Sequence, residues 1–552
     1  MSTIVLGKIA FKWQGAYNAA TTYMSQDVVS YLGSTYVCIL DSTVAITPAT
    51  ASSNWNLFAQ GTTGISTSNG QILYNNGAGL TALSIGTTGQ VLTVGSNGLP
   101  VWATPQVRSA TKVLKLPENA SGTQPNSYRK MGVIMTDGSV RAWGQQTNYL
   151  LGDGSTFSRS YPTRVAFAAG FPGASKLYYW SDSQAACIDS NGQLWIWGLN
   201  DSGGCGNGTT AVVRVPFNAS ADAANSIYGK TVTQVALSCG IQNGASTVVL
   251  CSDGTVHATG YNGYGQLGNG TTTSASRFSQ VPVLSNVAQI ASGREAYTSY
   301  YAVTSSGGLY SWGYNGDGQL GDGTTTNSTI PVLRTGGTLS GKTITKVYGG
   351  PSYAMAIDSA GNLHAWGTNP DGRLGNGTLS NQLTPVQSVA TGVSDVYIGQ
   401  YDYPITYIKK TDNSLWACGD GDYWANGVTP SGTSTGTFTQ IPVGGNITKA
   451  IHGGTGAYNF GAALLTNGQV KVWGYNGNGA LGVGDTTVRT AVATMLTGNR
   501  TVVDICAYGQ GSEQAIVMLL DDGQLWSCGS GAGNEMPEVA QQATYTPMPV
   551  VF

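Results

Sequence analysis

The chain has 552 residues, of which 9 % are charged, 25 Lys+Arg against 27 Asp+Glu, where a soluble domain usually carries about 25 %. A net charge of −2 without a basic run argues against a nucleic-acid partner or membrane insertion, because counterion release needs clustered Lys and Arg and runs such as 516–520 are too short to span a bilayer. The 41 % apolar content argues against disorder, and 79 glycines without a collagen period call for many turns.

Residues 1–60 contain Trp13, Tyr31, Tyr36 and Trp55 in short alternating runs such as 27–38, DVVSYLGSTYVC, which predict a small β domain. This spacing resembles the chitin-binding-type carbohydrate modules found at the ends of bacteriophage tail proteins, although Gln26 stands where that family has Gly. The resemblance implies a sugar platform of Trp13, Tyr31, Tyr36 and Trp55, while a domain this small also needs those rings for its own core. Residues 61–105 are rich in Gly, Thr and Asn, and two similar apolar pieces, beginning at Gln71 and Gln90, are each followed by a turn. The stretch resembles tail-fibre spacers that wind together as trimers, and so implies a homotrimer with virion tail proteins as N-terminal partners. The N-terminus lacks a secretory signal, so the chain is expected to fold in the cytoplasm and to end in a virion tail.

From 106 to 552 a motif recurs eight times, as in 136–144 (TDGSVRAWG), 190–198 (SNGQLWIWG), 305–313 (SSGGLYSWG) and 466–474 (TNGQVKVWG), with final glycines 52 to 62 residues apart. Each copy opens on a pair such as Asp-Gly, which is hairpin-turn chemistry, and continues with period-two alternation, which means strand. A glycine-rich loop and two further strand segments complete each unit. Four strands per unit of about 55 residues predict an all-β fold, a propeller of four-stranded blades, eight in preference to seven. The last segment, 547–552, has no ninth unit to join and is expected to pair back onto the first blade and close the ring. The string Gly-x-Leu-x-x-Trp-Gly-x-Asn-x-x-Gly-Gln-Leu-Gly-x-Gly resembles the regulator-of-chromosome-condensation repeat, whose members are mostly seven-bladed propellers. It fades in the sixth and eighth units.

If the strands a, b, c and d of a blade run up and down, the a–b and c–d loops share one face and the Asp-Gly turns lie on the other, where the spacer should attach. Tyrosine with Ser, Gly and Asn on the long-loop face is the chemistry of antibody loops, a rigid ring giving much contact for little entropy. Trp180, Tyr297, Tyr300, Tyr353, Tyr401, Tyr403, Tyr458 and Phe460 are the candidate receptor-binding residues. A surface with so few charges should bind with little dependence on salt.

Catalysis is not expected. The chain has five Glu, and a glycan depolymerase would have to draw its two carboxylates from Asp182, Glu295, Asp402 and Glu513. No cofactor or metal is expected either: three His and eight Cys without a Cys-x-x-Cys pair offer no zinc spacing, and residues 315–323 lack the twelfth-position Glu of a calcium loop. The cysteines read as small buried apolar residues. Together these features imply a tail-fibre receptor-binding protein that holds a host surface glycan or protein. The alternatives are an intracellular interaction propeller of the exchange-factor or enzyme-inhibitor kind, and a polysaccharide depolymerase.

Overall fold

In the computed structural model the chain divides into two compact units, Met1–Ala110 and Thr111–Phe552. The structure describes residues 12–16, 18–22, 27–31, 34–38, 55–59, 72–75, 80–83, 91–94, 100–103 and 113–116. From 130 it describes the chain to 550 apart from 147, 181–182, 239–243, 294–297, 400–404, 422–426, 429–432, 455–457, 511–512 and 531–543.

In the first unit, β1 (Lys12–Ala16), β2 (Asp27–Tyr31), β3 (Ser34–Cys38) and β4 (Trp55–Ala59) form one sheet in chain order, with β1 and β2 parallel. The two apolar pieces of the glycine-rich stretch each open a hairpin: β5 (Ile72–Asn75) with β6 (Leu80–Leu83), and β7 (Val91–Val94) with β8 (Pro100–Ala103).

The second unit is an all-β propeller of eight four-stranded antiparallel blades. Blade 1 is β9 (Val113–Lys115), β10 (Lys130–Met135), β11 (Val140–Gly144) and β12 (Arg159–Arg164). Blades 2 to 8 cover 174–218, 232–280, 287–333, 344–387, 393–440, 447–494 and 502–549. In every blade the four strands a to d are consecutive in sequence and adjacent in space, which keeps each connection short.

The tight turns join b to c, and their third residue has φ between +63° and +86°, glycine in seven blades and Asn413 in the sixth. That left-handed residue has a second task. Its carbonyl accepts a hydrogen bond from the first N–H of strand a in the next blade, as in Ala174 N to Gly138 O (2.8 Å) and Val232 N to Gly192 O (2.7 Å). The series runs round all eight blades and ends where Val113 N donates to Gly523 O at 2.9 Å, so the last blade meets the first as every other pair meets.

Ring closure differs from the expectation. The last strand, Thr544–Pro549, pairs with Leu525–Gly529 in its own blade, and β9 supplies blade 1 with its own inner strand. Strand exchange is replaced by packing of Val113, Met131, Val133 and Trp143 of blade 1 against Cys506, Val517 and Leu525 of blade 8.

A belt of polar side chains at the third position of strand a ties successive blades near the axis. Lys176 Nζ donates to Thr233 O (2.8 Å), Gln289 bridges Val347 through both its amide atoms (2.9 and 3.0 Å), and Lys449 pairs with Asp504 (2.8 Å). At the circumference, strands d carry Pro162, Pro216, Pro331, Pro385 and Pro547, which lack an N–H and so guard the exposed edges against pairing with other chains.

Between these layers, in blades 2 to 8, the side chain before the motif-final glycine reaches into the loop of the preceding blade. The indole N–H groups of Trp197, Trp312 and Trp366 donate to Leu150 O, Gln266 O and Gln319 O at 2.7–2.9 Å. Blades 3, 6 and 8 carry Thr259, Cys418 and Cys528 there, and each still donates to a carbonyl of the preceding loop. In blades 3 and 6 the missing volume is returned from strand d, where Phe278 and Phe438 replace the Pro of blades 1, 2, 4 and 5 and pack on Gly206 and Gly375. The six described cysteines with placed side chains are all buried and free.

Phe278→Ala should therefore destabilise the propeller by about 3–5 kcal/mol, whereas Thr259→Trp combined with Phe278→Val, the arrangement of blade 7, should lose much less. Equilibrium denaturation of the two variants checks this, and equal losses would show that the two positions do not share one space.

Candidate functional site

Strands b and c pair so that the start of b adjoins the end of c, which places the a–b and c–d loops together on one face: Tyr261 N donates to Ala245 O (3.0 Å) and Tyr475 N to Asn459 O (2.9 Å). The tight turns lie on the opposite face, where β9 also begins, beside Gly523.

Each complete c–d loop is built round one fully buried asparagine: Asn200, Asn262, Asn315, Asn369 or Asn476. The Asn315 side-chain amide donates to Thr324 O and Thr326 O (both 3.0 Å), while its oxygen accepts from Leu320 N (2.8 Å). One side chain thus satisfies three backbone groups that a buried loop would otherwise leave unpaired. The acidic residue of this loop organises its backbone: Asp322 Oδ1 accepts from Asn315 Nδ2, Thr324 N and Thr324 Oγ1 at 2.8–3.1 Å. The outer end of the loop is fixed to the next blade, Gly270 N donating to Thr329 O (2.9 Å) and Gly323 N to Leu383 O (2.8 Å).

On this frame stand the tyrosines. In the triplets Tyr261-Asn262-Gly263, Tyr314-Asn315-Gly316 and Tyr475-Asn476-Gly477 the phenol lies over the glycine so closely that a Cβ there would collide with the tyrosine hydroxyl. Tyr264 meets Tyr261 edge-on at 6.0 Å and Tyr314 of the next blade at 5.2 Å, a half-buried aromatic rail crossing from blade 3 to blade 4. Asp317 continues it and accepts from Ser352 Oγ of blade 5 at 2.9 Å. A second pair, Tyr458 and Tyr475, stands on blade 7 with ring centroids 5.1 Å apart, and Tyr458 is 37 % exposed.

Three of the candidate binding residues are corrected. Tyr300, Tyr353 and Phe460 are fully buried because strand b starts at or before them, so their rings turn into the blade stack. Tyr300 stacks on Trp312 and its hydroxyl bonds to Ser246 of the preceding blade, and the Tyr353 hydroxyl lies 3.1 Å from Thr406 Oγ1. Tyr458 remains on the face. Trp180 ends strand a of blade 2, and its side chain lies outside the described residues, as do Tyr297, Tyr401 and Tyr403. The carboxylates Asp182, Glu295 and Asp402 also lie outside them, and Glu513 is placed only by its backbone at the start of a strand. Trp13, Tyr31, Tyr36 and Trp55 fall on β1 to β4, again without described side chains.

Sequence reasoning places Tyr261, Tyr264, Tyr314 and Tyr475 on the long-loop face but not Tyr264 against Tyr314, because that contact crosses a blade boundary. It also left the buried asparagines unassigned, although their fixed place five residues before a leucine or cysteine was visible.

The histidines are structural. His257 Nδ1 lies 2.7 Å from Ser226 Oγ and His364 Nδ1 lies 2.8 Å from Thr338 Oγ1, so each pins a long connector between blades to a strand c. Both rings are buried, which keeps these hydroxyl–imidazole pairs from meeting a substrate. His452 is buried with no hydrogen-bond partner on either nitrogen. Burial, helped by the Lys230 charge, pushes His257 down to about 4, and burial alone does the same for His452. Among the described residues no group of three or more His, Cys, Asp or Glu could hold a metal ion.

Residues 191–241, 253–296 and 306–357 match the Regulator of chromosome condensation (RCC1) repeat. Each matched unit begins in a tight turn and runs past strand a of the next blade, so the sequence repeat is offset from the structural blade. The chain is 29 % identical over 380 residues to the human E3 ubiquitin-protein ligase HERC2, covering 66 % of this chain and 7 % of that protein. It is 26 % identical over 362 residues to the Arabidopsis ultraviolet-B receptor UVR8, covering 64 % of this chain and 77 % of the receptor. Among solved structures, human WBSCR16 superimposes with a TM-score of 0.50 at 20 % identity over 70 % of this chain and 97 % of that one, a likeness of fold.

These relatives are cellular proteins of human and Arabidopsis, and they overturn the virion-tail location. That expectation rested on the resemblances of residues 1–60 to a tail-protein carbohydrate module and of the glycine-rich stretch 61–105 to a fibre spacer. The repeat match rests on a periodic motif whose residues have assigned contacts.

Because His257 and His452 are held neutral well below the ordinary histidine value of about 6.5, the unfolded chain takes up protons first as pH falls. The stability they contribute is complete above about pH 6.5 and is lost as pH falls toward about 4. The urea midpoint should drop across that window, and less steeply in His452→Leu; a flat profile in the parent chain would contradict the burial of both rings.

Proposed function

We propose that this chain, three stretches of whose propeller match the RCC1 repeat, is a protein-interaction propeller that acts by binding and takes a protein partner on its long-loop face. The observation that carries this reading is the rigid aromatic rail of Tyr261, Tyr264 and Tyr314, with Tyr458 and Tyr475 on the same face. Their loops are fixed before any partner arrives, by a buried asparagine within and by hydrogen bonds to the next blade. Association then costs little loop-ordering entropy, and amphipathic rings on such a frame serve as anchors for a protein surface.

The ligase activity in the name of HERC2 belongs to that protein, of which this chain spans 7 %. Among the described residues of the long-loop face, Asp153, Asp322, Asp371 and Asp485 are each paired with an arginine of their own blade. Binding through tyrosines, with several of the carboxylates paired in place, should vary little with ionic strength.

A photo-crosslinking residue at Tyr458 or Tyr264 should capture a defined protein partner, and the same residue at exposed Tyr161 on the circumference should not. Equal capture from both places, or capture from Tyr161 alone, would remove the long-loop face as the binding surface.

A further inference from the structure

The outer edges of the blades are guarded in two ways. In five blades the middle of strand d is Pro162, Pro216, Pro331, Pro385 or Pro547, which offers no N–H to a foreign strand. In blade 3, where Phe278 stands in that place, a segment from outside the sheet closes the edge. Phe278 N donates to Asn225 Oδ1 (2.9 Å) and Ser226 N donates to Phe278 O (3.0 Å), both partners lying in the connector that precedes the blade.

Blade 7 has neither device. Its strand d, Arg489–Thr494, carries Val492 at the proline position, and the connector before the blade, 441–446, has six residues against thirteen, 219–231, before blade 3. Met495 N donates to Val470 O of strand c at 3.0 Å, so the alternation of a strand turns the N–H groups of Thr494 and Val492 outward. The ladder pairs Thr494 with Lys471, Ala493 with Val472 and then Arg489 with Gly474, which leaves residues 490–492 without a register partner in their own blade. Thr490, Ala491 and Thr494 are exposed, and among the described residues no hydrogen bond from outside the blade reaches the backbone of Thr490 or Val492. Blade 6 also lacks the proline, but there Gly436 O is taken by Gly377 N of blade 5 and Phe438 is buried.

The five residues of this open edge, Thr490-Ala491-Val492-Ala493-Thr494, read the same in both directions. We infer that strand d of blade 7 pairs antiparallel with strand d of blade 7 in a second copy of this chain, across a two-fold axis at Val492. In that register Val492 faces Val492, Ala491 faces Ala493 and Thr490 faces Thr494, so each cross-strand pair is matched in size, and the β-branched pairs are ones that sheets favour. No charge falls within the five residues and Arg489 is engaged by Asp485 at 2.8 Å, so no like charges oppose the pairing. The contact is isologous and consumes both edges, which stops assembly at two. Strand d runs from the long-loop face to the tight-turn face, and antiparallel pairing therefore points the two long-loop faces in opposite directions. Such a dimer joins two partners, where a single ring holds one. A seam of five residues a side is small, which makes the dimer weak and dependent on concentration.

Sedimentation of the full-length chain at rising concentration tests this. The weight-average mass is expected to climb reversibly toward twice that of the monomer. Val492→Pro, which installs the guard that five other blades carry, should abolish the climb while circular dichroism and the urea midpoint stay near those of the parent chain. A second measurement locates the seam: Ala491→Cys and Ala493→Cys chains oxidised as a mixture should give a disulfide-linked heterodimer that neither chain gives alone, because facing residues of a non-hydrogen-bonded antiparallel pair lie about 4.5 Å apart. A parent chain that stays monomeric up to about 1 mM, a dimer that persists in Val492→Pro, or a mixture left uncrosslinked would overturn the proposal. Should Val492→Pro fail to fold, Ala491→Lys puts a charge on the same exposed edge and must abolish the dimer in its place.

Discussion

The structure depends on one contact repeated in blades 2 to 6 and 8: a donor at the end of strand c reaching a carbonyl in the loop of the blade before it. An indole N–H makes it in blades 2, 4 and 5, a threonine hydroxyl in blade 3, and a thiol in blades 6 and 8. The loop carbonyls are buried and cannot be left unpaired without cost. The donor on the next blade is therefore needed for the loop to hold its shape, and the large ring of tryptophan fills the space the loop glycines leave. No blade completes its own loop. Stability in such an array comes from neighbour terms as much as from single units.

That dependence explains why the long-loop face is suited to recognition. Its loops look like flexible glycine-rich connections in sequence, but each of the five built on a buried asparagine is fixed at three places: by that asparagine, by the donor of the next blade, and by an outer hydrogen bond to the next strand d. The tyrosines stand on backbone that is already ordered, and the rail from Tyr261 to Tyr314 exists only because two blades keep a constant spacing. The low charge of the chain has the same origin. Turns, loops and edges use Gly, Asn, Ser and Thr for local hydrogen bonds, and several of the remaining carboxylates are paired within their own blades.

The closing joint shows what the ring does without. Packing among Val113, Trp143, Cys506 and Leu525 replaces the clasp that an exchanged terminal strand would provide. A ring closed in this way is continuous in its hydrogen bonding.

Much of the fold was legible in the sequence. The eight tight turns, the alternation after them and the count of blades follow from local chemistry, because a left-handed turn residue and period-two apolar spacing leave a mark wherever they occur. The turns after the apolar pieces at 71 and 90 were visible too, but the reading of that stretch as a fibre spacer did not include the hairpins they form. What the sequence could not decide were contacts between units. Whether Tyr300, Tyr353 and Phe460 face solvent or core turns on a shift of one or two residues in where strand b begins, and the motif carries no signal for that. Whether Thr259 is a defect or is matched by Phe278 depends on two strands meeting in space, as does the rail between Tyr264 and Tyr314. The final segment had an unmet edge in sequence, and only the packed ring determined that it stays in its own blade, since β9 already occupies the inner edge of blade 1. Local sequence fixes dihedral angles and periodicity, whereas side-chain environment is set by which blade comes next, and that is known only once the ring is closed.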